Sequence, residues 1–277
     1  MNRGNNLPGV HFLLSLIEPR DAGAVRGRLG IGEPEQLAVD RAAQELERLR
    51  APRSVLLWML EEDDPWTNRV VFHHSGTPDS VKRDILRGVP FGDAEGWLPM
   101  AAHCRDPFCS HKAPEIQVGP HGVVGGLRTA RTLGVARAAA RAVGRDDWAD
   151  VAEADRVESL PGYARWALTE RIDCPPDVRA QFGSHPKFAH RLRQAGIVEP
   201  SEYVELTRPP HEVLGVLHFG RRLFPRRVRD AAALLAPLVH AEVGANPDAW
   251  AVLARLLPTF AGTVPELVRT SGAIAHV

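Results

Sequence analysis

Lysine is nearly missing from this chain. Lys82, Lys112 and Lys187 are the only ones, and every other basic residue is arginine. Cysteine is as scarce: Cys104, Cys109 and Cys174 make an odd set of three, which argues against the paired disulfide framework of a secreted scaffold. There is no excess charge of either sign. The 34 basic residues balance 34 acidic ones and the pI is about 7.2, so no global field draws the protein to nucleic acid or anionic lipid. Any electrostatic partner must be met by a local patch. Long apolar runs are absent too. Val10 to Ile17 is broken by His11 and Ser15 and stops at Glu18-Pro19. It is too short to span a bilayer and has no small-residue cleavage site. These absences point to a cytoplasmic protein that does not engage a membrane.

What is present is proline, placed with regularity. Apolar residues make up 44% and charged residues 25% of the 277, enough to build a core and too apolar for wholesale disorder. From Pro34, the run PEQLAVDRAAQELERLR puts Val39, Ala42, Ala43, Leu46 and Leu49 on one helical face. Val55 to Leu60 (VLLWML) is apolar on all sides, which suits a buried helix, with a strand as the rival reading. Pro65 opens a further segment, and Pro78 another, with Thr77 as N-cap and Gly88 as C-cap. Val89 to Gly126 is rich in Gly and Pro, without periodicity, and reads as a loop-rich insertion. Leu127 to Val143 is expected as one Ala- and Arg-rich helix weakened at Gly134, and Asp147 to Glu158 as the next.

The second half runs in units led by Pro161, Pro175, Pro186, Pro210, Pro225, Pro247 and Pro265. Proline at a first helical turn forfeits no hydrogen bond and supplies a helical φ. Pro175, Pro210 and Pro247 lie about one helix pair apart, the period of helical solenoids. The expected fold is all-α: an irregular right-handed α-solenoid of proline-led helix pairs with a central insertion. The expected segments are 1–33 at the N-terminus, repeats over 34–88, the insertion at 89–126, and repeats over 127–277.

DCPPDVRAQF (173–182) and SGTPDSVKRDIL (75–86) resemble the unit of the leucine-rich repeat variant proteins and, more broadly, HEAT-like helical repeats. The resemblance covers Pro34 to Gly88 and Pro161 onward. It implies short proline-led helices stacked into a superhelix. Some members of that family carry an iron–sulfur module on a cysteine cluster; this chain has no such cluster, and that property is not carried over.

Stacked helix pairs leave a long curved surface suited to binding. The first expectation for function is therefore a non-catalytic scaffold that binds another macromolecule, a protein, with Trp97 in the insertion as a contact residue. A second is DNA or RNA binding through Arg221, Arg222, Arg226, Arg227 and Arg229, interleaved with Phe219 and Phe224. Arg128, Arg131, Arg137 and Arg141 form a looser basic set, the last two sharing a face. A third is a metal-containing enzyme or regulator, with zinc on His103, Cys104, Cys109 and His111; His73, His74 or His121 could replace one ligand. Enzyme signatures otherwise fail. His240-Ala241-Glu242 lacks the cysteine half of a deaminase site, and Gly27, Gly30 and Gly32 are in the wrong order for a dinucleotide loop.

Overall fold

The computed structural model describes residues 7–100, 111–183 and 186–275. Among them the chain is all-helical, with no strand. No helix among the described residues is long and apolar enough to cross a membrane. The chain divides into two compact units. Unit 1 joins Met1–Ala51 to Val198–Val277, and unit 2 is the continuous stretch Pro52–Ile197. The boundaries thus fall at 51 and 197, whereas the segments expected from sequence end at 33, 88 and 126.

Unit 1 contains α1 (Leu7–Leu14), α2 (Pro19–Leu29), α3 (Val39–Glu47), α13 (Pro200–Val204), α14 (Pro210–Leu223), α15 (Pro225–Glu242), α16 (Pro247–Leu256) and α17 (Val264–Ala275). Its centre is α14, which packs against α1, α3, α15 and α17. Val213, Leu214, Val216 and Leu217 of α14 are wholly buried, so this helix is apolar on more than one side. Gly9 lets α1 come close, since a Cβ there would stand 3.1 Å from Leu214 Cβ and from Leu257 Cδ2. The stretch 1–33, expected only as an N-terminal segment, thus supplies two helices with buried faces, α1 and α2.

Unit 2 contains α4 (Ser54–Leu60), α5 (Pro65–His73), α6 (Asp79–Leu86), α7 (Gly122–Arg128), α8 (Leu133–Ala140), α9 (Trp148–Val157), α10 (Gly162–Thr169), α11 (Pro176–Phe182) and α12 (Pro186–Gln194). One core cluster gathers Leu127, Val143, Trp148, Val151, Leu168, Val178 and Phe182. Val55–Leu60 is helical, as its proline lead suggested. The helix expected over Leu127–Val143 is broken at Thr129–Thr132 instead of weakened at Gly134. The Thr129 hydroxyl donates back to the Gly125 and Gly126 carbonyls, and Thr132 caps α8 by accepting from the Val135 N–H.

Candidate functional site

In unit 1, residues Glu33 to Ala38 form one wall of an open cleft of about 980 Å³; His218, Phe219, Arg221 and Arg222 of α14 form the other. Arg221 and Arg222 are exposed in the last turn of α14, where the helix dipole favours positive charge. Glu33 is tied to Arg26 at 2.6 Å. Residues 32–37 have no regular structure, and their N–H and C=O groups make no backbone hydrogen bond among the described residues. The helix expected from Pro34 starts only at Val39, which leaves this wall outside any helix.

Two histidines meet at the α14 wall, one of them, His218, lining the cleft. His11 of α1 and His218 have ring centroids 6.1 Å apart, and the Phe219 ring meets His218 edge-on at 5.2 Å. Burial first, then the neighbouring His11 and Arg221, pushes His218 down to about 4. It is a neutral imidazole at neutral pH.

The arginines after Phe219 are divided between two helices, Arg221 and Arg222 at the end of α14 and the other three at the start of α15. Phe224 is wholly buried and offers no ring for stacking. Arg226, Arg227 and Arg229 belong to α15 and do not line the cleft. Arg227 pairs with Glu199 at 3.4 Å and Asp230 at 3.8 Å.

Unit 2 carries a second basic surface that sequence reasoning caught only in part. Two cavities, of about 390 and 530 Å³, share Arg53, Arg137 and Glu170 and so form one groove. Arg141 and Arg171 line the first and Arg191 the second. Arg137 and Arg141 were legible as neighbours one helical turn apart; no local pattern brings Arg53 or Arg191 to them. Arg137 donates through Nε and Nη2 to Glu170 Oε2 at 3.1 and 2.8 Å, while the Trp166 indole N–H donates to Glu170 Oε1 at 2.5 Å. Arg171 is internal: it pairs with Asp173, and its Nη1 donates to the Ala140 and Val143 carbonyls.

Trp97 is 71% exposed, and its ring packs where a side chain on Gly88 would be, while the Leu98 N–H donates to the Gly88 carbonyl at 2.8 Å. Of the zinc candidates, His103, Cys104 and Cys109 lie outside the described residues. His111 sits with its ring 5.8 Å from His73 and 5.9 Å from Phe72. Among the described residues no three His, Cys, Asp or Glu side chains are grouped as a metal site would need. Cys174 is buried, and desolvation raises its thiol to about 12, which makes it inert as a nucleophile.

No family model, curated protein or solved structure matches the chain.

Proposed function

We propose that the protein is a non-catalytic helical scaffold, its proline-led helix pairs stacked as an irregular right-handed solenoid, that binds a protein partner. The cleft of unit 1 is its peptide-binding site. The observation that carries this reading is the wall at residues 32–37, whose backbone donors and acceptors have no backbone partner among the described residues and stand beside an open cleft. An extended peptide can pair with such a wall by its own backbone, the recognition mode that gives affinity without demanding a fixed sequence. Side chains then set the choice. Arg221 and Arg222 favour an acidic residue at the α14 wall, and Glu35 a basic one opposite.

Selection from a random peptide library tests this. Peptides of mixed charge should be recovered that bind the purified protein, and R221E/R222E should weaken them at least about tenfold, the scale of one lost charge-assisted contact. Recovery of no binder, or of binders indifferent to that double substitution, overturns the reading.

A further inference from the structure

We propose that the groove of unit 2 binds single-stranded nucleic acid, independently of the peptide cleft. Its shape is the first support. The two open cavities adjoin at Arg53, Arg137 and Glu170, with Arg141 lining one and Arg191 the other, so the arginines are spread over both cavities and not gathered in one. A strand carries its charges in the same linear way, and a positively charged groove that tracks the backbone is how proteins hold one without reading its sequence.

Charge is the second support. Arg53, Arg141 and Arg191 have no carboxylate partner among the described residues. Glu170 is already engaged by Arg137 and by the Trp166 indole, and Arg171 by Asp173. Asp79 is the remaining acid on the lining and lies in the first turn of α6, within the cavity that holds Arg141. Three uncommitted guanidinium groups against one carboxylate leave the groove basic in a chain whose total charge is zero.

The third support separates a nucleic acid from an acidic peptide. Arg191 lies over Trp166, with Cζ 3.6 Å from the ring centroid, so a guanidinium set against an indole forms part of the lining. Guanidinium planes over indole extend naturally to a base, whose π-face stacks regardless of identity. A peptide has phosphate-like charge but seldom a ring at each step.

Fluorescence anisotropy with labelled oligothymidylate and oligouridylate of about 12 nucleotides, within the span such grooves occupy, tests the assignment. Three phosphate contacts predict a slope of about −2 in log affinity against log salt, which is roughly a twentyfold loss between 50 and 200 mM. R53Q/R141Q should make the slope shallower by about 1.4 while leaving the circular dichroism and melting temperature unchanged. R156Q, at an exposed arginine of α9 that pairs with Glu153, should change neither slope nor affinity. Absence of binding at 50 mM salt, or binding that R53Q/R141Q leaves intact, overturns the proposal. Displacement by polyglutamate or by inorganic phosphate at the same concentration of charge overturns it too, in favour of an acidic peptide or a simple anion.

Discussion

The Gly196 carbonyl accepts two hydrogen bonds from Ser54, one from its backbone N–H at 3.0 Å and one from its hydroxyl at 3.3 Å, across 142 positions of sequence. The two residues stand at opposite ends of unit 2, so this contact closes the unit where its chain enters and leaves. Gly196 has φ +75°, and a Cβ there would lie 2.9 Å from the Arg53 backbone nitrogen. Both facts call for glycine. Gly196→Ala should destabilise by about 2 kcal/mol or more, combining the left-handed penalty with a backbone clash. Ser54→Ala keeps the N–H bond, removes the longer hydroxyl bond and should cost about 1 kcal/mol. Urea denaturation that ranks the two in the opposite order would refute this closure.

Arg171 and Asp173 form a pair sealed from solvent at 6% and 5% exposure. Arg171 Nε donates to Asp173 Oδ1 at 2.9 Å, and its Nη1 reaches the Ala140 and Val143 carbonyls at 2.5 Å. One guanidinium thus satisfies a carboxylate and the C-terminal end of α8. Arg171→Met leaves the carboxylate buried alone and should cost about 3–5 kcal/mol in denaturant. Lysine, a point donor without the planar fork, should recover less than half of that.

Asp63 holds the start of the 89–100 stretch. Its Oδ1 accepts from the Phe91 and Gly92 N–H groups at 2.9 and 3.0 Å, and its Oδ2 from Ala94 N–H at 2.9 Å. The backbone adopts φ +51° to aim the carboxylate. Gly92 must stay small, because a Cβ would stand 2.1 Å from the Glu61 carbonyl oxygen. Asp63→Ala should release residues 89–100 to limited proteolysis and cost about 2–3 kcal/mol, the range for bonds to a charged acceptor. An unchanged cleavage pattern would show that other contacts order the stretch.

Much of the fold was readable because proline marks helix starts by its own geometry. Pro161, Pro175, Pro210, Pro225 and Pro247 all stand at an N-cap or in a first turn. Pro34 misled: the residues after it line a cleft without regular structure, and periodicity becomes helix only from Val39. The pairing of units was not readable. Nothing in a local pattern says that the chain leaves unit 1 at Ala51 and re-enters it at Val198. The same limit applies to the grooves: Arg137 and Arg141 are visible as a helical pair, whereas Arg53 and Arg191 join them only through tertiary folding. Phe224 beside the arginines suggested stacking, but interleaving in sequence cannot distinguish a contact ring from a core ring, and this one is core.

The histidine pair of unit 1 makes stability depend on pH in a defined window. Burial, followed by Arg26, lowers His11, with Glu33 opposing; burial, followed by His11 and Arg221, lowers His218 to about 4. An unfolded histidine takes its proton near 6.5, well before the folded His218 does. The unfolded state therefore binds more protons between pH 6.5 and about 4, and stability must fall as pH drops through that range. Asp84 works the other way, since burial raises its carboxyl and favours the folded state on acidification. The difference between parent and His218→Gln cancels that contribution. At pH 5 the parent should take up about 0.9 more proton on unfolding than the variant, read from the slope of the urea midpoint against pH. Parallel slopes for the two proteins would mean that His218 is already charged in the folded state at pH 5, and that burial does not hold its imidazole neutral there.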